Sequence, residues 1–341
     1  MKGRLIALDH ISGQEAAALM VDGRLEDLLI DTDTAPRPGA IFRAIVDRQI
    51  KGQGGVFVKL PDGTGFLRNA KGLRPRQTVL VQVTGYAEAG KATPVTMKVL
   101  FKSRYAIITP DAPGLNISRS IRDEDTRDTL LEIAHDAMAG LPYGLILRSS
   151  CDGAASDDIA EDIQTMSDLT ARVLEHASGT TAERLTDGDG PHLVAWREWG
   201  DAEMIETTAG CFEDHGILDQ IDAMRTSKVS LRGSGHMFIE PTRALIAVDV
   251  NTAGDTSIAA GLKANIAAAR DLPRQLRVRG LGGQIVLDLA PLAKKDRRQF
   301  ETTLRAAFKA DLIETSLAGW TPLGHFELQR KRERLPLDDL L

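Results

Sequence analysis

Three polar side chains stand at the ends of two apolar stretches in the C-terminal third of the chain. The first stretch, "RALIAVDVN" (243–251), carries Asp249 and Asn251. The second, "GGQIVLDL" (282–289), carries Asp288 near its end. Two carboxylates, together with water and substrate phosphate oxygens, are the usual ligands of Mg²⁺ in proteins. We therefore predict that Asp249 and Asp288 hold a metal ion and that the Asn251 amide orients the carboxylate of Asp249.

The elements around these residues predict that the two aspartates lie side by side. The stretch between them, 257–280, is typical of a helix, and the order strand, helix, strand favours a parallel pair joined by a right-handed crossover. Neighbouring strands lie about 4.8 Å apart, and ligands of such sheets bind at the carboxyl ends of the strands. Pro273 inside the helical stretch predicts a kink or two short helices. A strand-end aspartate can also cap the loop or helix after it, and the spacing does not separate a phosphodiesterase from other magnesium enzymes.

A histidine pair offers a different chemistry. His236 precedes a predicted strand, and His325 lies in "GWTPLGHFELQRKRER" (319–334). Two histidines beside one phosphate can cleave RNA by general acid–base catalysis without a metal. Lone histidines in such positions are more often ordinary surface or core residues, so the pair is the weaker alternative.

Short alternating runs between 36 and 99, separated by turns rich in Gly, Pro and Asp, predict a small antiparallel barrel or sandwich. The strands before it are too few to be stable alone, so we expect them to pair with later strands, which makes the barrel an insertion. Phe57 and Phe66 stand out in a chain with only 4% aromatic residues. OB-type barrels stack bases on such rings and follow the backbone with cations, a role that Lys91 could fill. Both rings could equally belong to the core of the barrel.

The middle of the chain alternates predicted strands and amphipathic helices. "YGLILRSS" (143–150) is typical of a strand that ends in polar residues, and helices are predicted on either side of it. A turn-rich acidic linker at 179–191 marks a boundary. "HLVAWREW" (192–199) is predicted to be another strand.

Composition and charge limit the class of protein. The 341 residues suffice for two or three domains. No apolar run approaches the roughly 18 residues that span a membrane, and no cleavage pattern follows the N-terminus, so we expect a cytoplasmic protein. Residues 149–223 contain eighteen acidic against three basic side chains, whereas 270–334 contain fourteen basic against eight acidic ones. The basic segment could attract a polyanion or consist of solvated helix faces. Cys151 and Cys211 form no metal-ligand pair and are expected to be buried thiols.

Taken together, these motifs resemble the ribonuclease E/G family of bacterial endoribonucleases. The resemblance is most specific in "ALIAVDVNTAG" and "ANIAAARDLPRQLRVRGLGGQIVLDL", continues in "HFELQRKRER", and extends to "GVFVKLPDGTGFL", "ISRSI" and "GLILRSS". It implies a multi-subdomain α/β fold: a ribonuclease-H-like region with an inserted OB-fold barrel, a sensor of the RNA 5′ end, and a C-terminal deoxyribonuclease-I-like catalytic region. The implied bounds are 1–35 and a shortened 191–226 for the ribonuclease-H-like region, 36–100 for the barrel, 101–190 for the sensor and 227–341 for the catalytic region.

The resemblance also implies roles for particular residues. Asp249, Asn251 and Asp288 match the catalytic residues of the family, with the two aspartates as ligands of Mg²⁺, which Mn²⁺ can replace. Phe57, Phe66 and Lys91 match its RNA-binding positions. In addition, Arg330 and Arg332 of the basic segment are predicted to contact the RNA backbone. Arg148 and Ser149 match an Arg-Thr pair that binds the 5′-monophosphate.

One departure from the family concerns assembly. Larger members carry a Cys-Pro-x-Cys zinc link after the catalytic region, and the sequence has no such motif. We therefore expect no zinc, and any homo-oligomer is not zinc-linked. The prediction is a Mg²⁺-dependent endoribonuclease that acts on single-stranded RNA in RNA processing or decay and leaves 5′-phosphate and 3′-hydroxyl ends. The alternative is an RNA-binding or chaperone protein with little or no cleavage.

Overall fold

The chain divides into two units. The computed structural model describes residues 2–50, 54–68, 70, 72–200, 202–233, 235–255, 257 and 259–341. Unit 1 is formed by Met1–Thr32 together with Asp201–Leu341, and unit 2 by Asp33–Gly200. Unit 2 is thus inserted into unit 1 along the chain. The finer division into five regions stays a prediction.

The elements of unit 1 come from both of its segments. Its strands are β1 (Arg4–Ile11), β2 (Gln14–Val21), β3 (Arg24–Ile30), β14 (Met204–Glu206), β15 (Lys228–Leu231), β16 (Gly235–Pro241), β17 (Ile246–Asn251), β18 (Gly283–Asp288), β19 (Thr315–Trp320) and β20 (Phe326–Arg330). Its helices are α4 (Cys211–Asp214), α5 (Ile217–Met224), α6 (Ala260–Val278), α7 (Arg297–Ala310) and α8 (Leu337–Leu340), with a 3-10 turn at Lys294–Asp296.

Unit 2 contains the remaining elements. Its strands are β4 (Ile41–Ile50), β5 (Gly55–Leu60), β6 (Gly63–Leu67), β7 (Thr78–Val83), β8 (Thr93–Thr96), β9 (Phe101–Lys102), β10 (Ala106–Thr109), β11 (Gly114–Ile117), β12 (Gly144–Leu147) and β13 (Glu183–Thr186). Its helices are α1 (Glu124–Ala137), α2 (Ser156–Glu175) and α3 (Pro191–Glu198), with 3-10 turns at Ser149–Cys151 and His176–Ser178.

The N-terminal strands form an antiparallel meander that a later strand completes. The sheet order is β14-β1-β2-β3, and β14 runs parallel to β1. The two hairpin turns, Ser12-Gly13 and Asp22-Gly23, have positive φ at both residues, which matches the right-handed twist of the flanking strands. The expected pairing of these strands with a later part of the chain is therefore confirmed.

The C-terminal sheet of unit 1 is covered by helices on one face. Its order is β15-β16-β17-β18-β20-β19, with β17 and β18 parallel. Along β17, Val248 and Val250 are buried, while Asp249 is exposed and Asn251 is half-buried. The buried side chains pack with Leu272 of α6 and with the phenylalanines of α7. Because side chains alternate along a strand, the opposite face of the sheet carries mostly polar residues, and those described are exposed or half-buried; we call it the open face.

Two predicted elements differ in the structure. "HLVAWREW" is not a strand, because Pro191 begins helix α3 and the buried residues Pro191, Ala195 and Trp199 recur at every fourth position. Helix α6 is a single helix that includes Pro273, not two short ones. Every residue from Leu272 to Val278 is buried, and this packing offsets the hydrogen bond that proline cannot make.

In unit 2 the strands β4-β5-β6-β8-β7 form a barrel that closes through pairing of β4 with β7. Small branched side chains, among them Val46, Val56, Val58 and Val81, fill its interior. The closed barrel is consistent with an OB fold. A second sheet, β11-β12-β10-β9, packs against α1 and α2, and Asp123 caps the start of α1.

Part of the basic charge of the C-terminal segment is internal. Four of its fourteen cations are buried: Arg274, Arg277, Arg279 and Arg330. Arg277 and Arg330 both pair with Asp311, and Arg277 also contacts Asp27 of β3. No helix within the described residues is long and apolar enough to cross a membrane.

Candidate active site and RNA-binding surfaces

The two aspartates meet at the carboxyl end of the parallel pair. Asp249 and Asp288 lie opposite each other in the register of β17 and β18. Both side chains lie on the open face of the sheet, and that of Asp288 is 68% exposed. Neighbouring strands are about 4.8 Å apart, so one cation can contact both carboxylates.

Asn251 holds the first carboxylate by a direct hydrogen bond. Its Nδ2 donates to Asp249 Oδ2 at 2.8 Å. The backbone beside it is tightly packed, since a Cβ on Gly235 would lie 2.0 Å from the Asn251 carbonyl oxygen. Gly235 also has a φ of +107°, which a residue with a side chain rarely adopts. The placement of Asn251 therefore depends on a glycine in the facing strand.

Asn265 fixes the chain just after the second carboxylate. This residue of α6 is fully buried, donates from Nδ2 to the Ala290 carbonyl at 2.9 Å, and accepts from the Ala290 N–H at 3.1 Å. Gly261, one turn earlier, lets the helix approach Pro291, because a Cβ there would lie 2.0 Å from the Pro291 carbonyl oxygen. The helix between the two strands thus holds the loop that follows Asp288.

The donor set fits a hard divalent cation. Among the described residues, neither aspartate has an Arg or Lys within ion-pair distance, and no group of three or more His, Cys, Asp or Glu forms a closed metal cage. Two carboxylates with open positions suit Mg²⁺, which retains several waters and binds substrate phosphate. Zinc prefers nitrogen and sulfur ligands and usually takes at least three from the protein.

The two histidines flank this site but stand far apart. His325 Nδ1 lies 3.3 Å from Asp288 Oδ1, although without the alignment of a hydrogen bond. His236 lies opposite Asn251 on β16. Three strand spacings, about 14 Å, separate the strand of His236 from that of His325. Two strands, which carry Asp249 and Asp288, thus lie between the two histidines, and this separation disfavours the paired-histidine alternative.

The barrel presents an aromatic pair on its outer surface. Phe57 and Phe66 lie opposite each other on β5 and β6, with ring centres 5.4 Å apart. Both are half-buried, whereas Val56 and Val58 beside Phe57 point into the core. The Arg48 guanidinium lies 5.0 Å from the centre of the Phe57 ring. Two rings and a cation on one surface can stack bases and hold a phosphate backbone.

Lys91 lies in the turn before β8, whose Pro94 is opposite Phe66. Its side chain is 66% exposed, and Nζ lies 2.5 Å from Glu88 Oε2. Lys91 is therefore accessible near the aromatic pair, but Glu88 offsets part of its charge.

The guanidinium of Arg148 already has partners. Nη1 donates to the Ser103 carbonyl at 2.7 Å, and Nη2 donates to Glu198 Oε2 at 2.5 Å. Burial alone would raise the pKa of Glu198, but the charges of Arg148 and Arg197 outweigh it and the net shift is downward. Ser149 is exposed at the start of a 3-10 turn. A carboxylate thus occupies a guanidinium edge that a 5′-phosphate would need.

The prediction that Arg330 contacts RNA is wrong. Its side chain is fully buried, pairs with Asp311 at 2.6 Å and donates to Thr315 Oγ1 at 2.9 Å. In the alternation of β20, Arg330 lies on the same face as Phe326 and Leu328, which is the core face. Arg332 is half-buried and covers Gly283, at the end of β18 opposite to Asp288. Its contact with RNA stays a prediction.

Several residues of these sites were not predicted from the sequence. They are Asn265, Arg48, Glu198 and the exposed cations Lys294, Lys295 and Arg298, which follow Asp288 along the chain. An asparagine on the apolar face of a helix was a usable signal for Asn265. Both cysteines are free and buried, as expected, and burial raises the pKa of each thiol to about 11.

Comparison with known proteins agrees with the motifs. A sequence model described as the ribonuclease E/G family matches residues 101–198 and 194–333. The chain belongs to this family. Ribonuclease E of Nostoc sp. is 28% identical over 386 residues, covering 96% of this chain and 55% of that protein. Ribonuclease G of Salmonella typhimurium is 26% identical over 309 residues, covering 79% of this chain and 62% of that protein. The chain therefore spans less than two thirds of these family members.

Proposed function

We propose that the chain is a Mg²⁺-dependent endoribonuclease that cuts single-stranded RNA and leaves 5′-phosphate and 3′-hydroxyl ends. The observation that carries the proposal is the register of Asp249 with Asp288 at the open end of the parallel strands. Family members whose names describe ribonucleases support the same reaction class. Mn²⁺ is expected to replace Mg²⁺, since both take oxygen ligands.

The residues of the site divide the work. Asp249 and Asp288 would hold the cation, and Asn251 keeps the Asp249 carboxylate in one orientation through its amide. When bound, Mg²⁺ supplies positive charge for the reacting phosphate and lowers the pKa of a coordinated water. Asn265 maintains the position of Asp288 by holding the backbone two residues later.

RNA is held by other surfaces in this proposal. Phe57, Phe66 and Arg48 form one side of the barrel and stack bases of single-stranded RNA. The exposed cations Lys294, Lys295 and Arg298 replace Arg330 as candidates for backbone contacts, because they follow the strand that carries Asp288. Their contribution is expected to weaken as salt concentration rises.

A 5′-monophosphate is the proposed ligand of Arg148 and Ser149. Arginine binds phosphate through two parallel hydrogen bonds. Because Glu198 holds one edge of the guanidinium, phosphate binding requires displacement of that carboxylate. We therefore expect a weak preference for monophosphorylated ends.

The test is cleavage of a 5′-monophosphorylated, AU-rich single-stranded RNA, with and without Mg²⁺. Asn251→Ala should lower kcat/KM about 10- to 100-fold, the usual loss when a residue that orients a metal ligand is removed. Asp249→Asn and Asp288→Asn remove a proposed ligand itself, so each should lower kcat/KM by more than that. Glu240→Gln removes a carboxylate from the same face of the sheet, and it should cleave like the wild type.

A second readout separates metal binding from activity. Mg²⁺ should raise the thermal unfolding midpoint of the wild type and of Glu240→Gln, but not that of Asp249→Asn. RNA that binds but is cut no faster by the wild type than by the variants would show instead an RNA-binding protein without efficient cleavage.

A further inference from the structure

Phe238 is unusual among the phenylalanines of the chain. All nine lie within the described residues, and six are buried: Phe42, Phe101, Phe212, Phe300, Phe308 and Phe326. The three that are half-buried are Phe57 and Phe66 on the barrel and Phe238 on β16 of unit 1. A ring left partly in solvent gives up part of the free energy of burial, so this placement calls for an explanation.

Phe238 lies beside the candidate metal site. It faces Asp249 directly in the antiparallel register of β16 and β17, and His236 faces Asn251. Side chains opposite each other in such a pair have Cβ atoms about 5 Å apart. The alternation of β16 buries Met237 and Ile239, so that His236 and Phe238 lie on the open face with the carboxylates.

The two rings form one platform. Their centres are 5.2 Å apart and their planes are perpendicular, the edge-to-face geometry that stabilises aromatic pairs. His236 thus supports one side of Phe238.

A row of residues crosses the open face of the sheet at this level. In register order it runs from Lys228 to Phe238, Asp249 and Asp288, that is, a cation, a ring and two carboxylates. Lys228 is exposed on the edge strand β15. Lys228 lies two strand spacings, about 10 Å, from Asp249 on the same face. Protein interfaces depend on larger apolar areas, whereas a single ring among polar groups suits a stacked base.

We propose that Phe238, supported by His236, stacks the base of the nucleotide next to the phosphate that is cut, with Lys228 beside the following phosphate. This inference rests on the proposed function, because it assigns a base to the substrate of that same site. Phe238 acts as a positioning residue: the stacked base sets where the adjacent phosphate lies relative to Asp249. A larger ring system stacks more strongly, so a purine is preferred at this nucleotide.

The stacking platform is tested by measuring kcat/KM for RNA cleavage in variants of Phe238. Removing one base-stacking ring costs about 1–3 kcal/mol, so Phe238→Ala should lower kcat/KM about 5- to 150-fold. Both a higher KM and a lower kcat contribute, because the ring binds the base and places the adjacent phosphate. Phe238→Trp should retain activity. The control is Val286→Ala. Val286 is a half-buried aliphatic residue on the same face, and its replacement should have little effect on kcat/KM.

An RNA with an abasic nucleotide beside the mapped cut provides the decisive comparison. The missing base should lower kcat/KM of the wild type by the same factor by which Phe238→Ala lowers it on the intact RNA. The two enzymes should therefore cut the abasic RNA equally well. If Phe238→Ala is impaired by the same factor on both RNAs, the ring has only a structural role and the proposal is overturned.

A binding measurement separates this inference from the proposed function. A set of RNAs, each with one 2-aminopurine, is mixed with Asp249→Asn, and quenching of the fluorescent base is measured. Quenching at one position that disappears in Asp249→Asn/Phe238→Ala supports the platform even if the wild type cleaves no RNA. Cleavage by the wild type without Phe238-dependent quenching overturns the platform and leaves the nuclease proposal standing.

Discussion

Arg330 is counted among the basic residues of the C-terminal segment, but it is buried in an ion pair with Asp311 and adds no positive charge to the surface. Its guanidinium shares Asp311 with Arg277 in the interior of unit 1, and burial lowers its pKa despite the attraction of Asp311. An arginine held in this way contributes to folding and has no surface left for a phosphate.

Replacing Arg330 should therefore affect stability and not RNA binding. Arg330→Met leaves Asp311 with one partner fewer, and breaking a buried pair costs about 3–5 kcal/mol in the free energy of unfolding. Urea unfolding measures this loss, and RNA affinity is compared at a temperature where both proteins are folded. The exposed Arg298→Ala serves as the matched control, with unchanged stability and weaker, less salt-dependent RNA binding. Reduced RNA affinity in folded Arg330→Met would contradict this assignment.

Glu198 pairs with the Arg148 guanidinium and so competes with a phosphate for it. Glu198→Gln removes the competing negative charge, and a hydrogen bond to a charged group contributes about 1.5–3 kcal/mol. The ratio of cleavage rates for 5′-monophosphate over 5′-hydroxyl RNA should thus rise about tenfold. Glu161→Gln, an exposed glutamate of α2, should leave the ratio unchanged. An unchanged ratio in both Glu198→Gln and Arg148→Ala would show that this pair does not bind the 5′ end.

Among the elements, helix α6 connects strands β17 and β18 along the chain and, through Asn265, holds the loop that follows Asp288. Asn265→Ala removes two buried hydrogen bonds to Ala290, and an unsatisfied buried backbone group costs about 1–3 kcal/mol. We expect lower stability together with a lower kcat and a higher Mg²⁺ requirement, because the loop after Asp288 loses its anchor. The measurement is a Mg²⁺ titration of cleavage.

The control for this element is Ala268→Gly, a change in the same helix that should lower stability by about 1 kcal/mol without a higher Mg²⁺ requirement. Equal Mg²⁺ titration curves for Asn265→Ala and this control would restrict Asn265 to a structural role.

Elements with clear periodicity were predictable from the sequence. The strand, helix, strand order of β17, α6 and β18 follows from apolar runs and a long helical pattern, and it places Asp249 and Asp288 together. Helix α3 was predicted as a strand because three large apolar side chains among its eight residues also fit a strand pattern; the helix signal is Pro191 at its first position.

The site residues divide in the same way. Polar residues at strand ends were visible as interruptions of apolar runs. The ion-pair partners of Arg148 and Arg330, which are Glu198 and Asp311, lie elsewhere in the sequence and meet these arginines only through tertiary packing. The 2-residue alternation that ends in Arg330 does place it with Phe326 and Leu328, so its burial was predictable from the strand itself. Its partner Asp311 was not.

At the scale of the molecule, unit 1 is held together by contacts between its two chain segments. Asp27 of β3 accepts from Arg334 Nη2 at 3.0 Å and lies 3.3 Å from Arg277 Nε. Burial alone would raise the pKa of Asp27, but the attraction of Arg334 and Arg277 outweighs it and lowers the pKa below its usual 3.8. The N-terminal segment is therefore bound to the C-terminal one by charge as well as by apolar packing.

This contact makes stability depend on pH in the acid range. A carboxylate with a lowered pKa stabilises the folded state fully above its unfolded value, and the contribution is lost as the pH falls from about 4 through the folded pKa. Asp27→Asn should lower the free energy of unfolding at pH 7 by about 3 kcal/mol and flatten its fall below pH 4. Urea unfolding from pH 7 to pH 3 measures both effects. Asp219→Asn, an exposed aspartate of unit 1, should retain the wild-type profile, and an equally steep fall in Asp27→Asn would refute the assignment.

The discontinuity of unit 1 has a consequence for synthesis on the ribosome. Residues 1–32 emerge before their partners, which begin at residue 201, after the 168 residues of 33–200 have been made. At about 5–20 residues per second, strand β2, whose residues Ala16–Met20 are buried in the folded protein, waits roughly 8–34 seconds for its core. During this interval the apolar residues of β2 lack the core that buries them, and such exposed surface is prone to aggregation. The contact of Arg334 with Asp27 joins the two segments of unit 1, so the unit that carries Asp249 and Asp288 is expected to assemble only after residues 201–334 have left the ribosome.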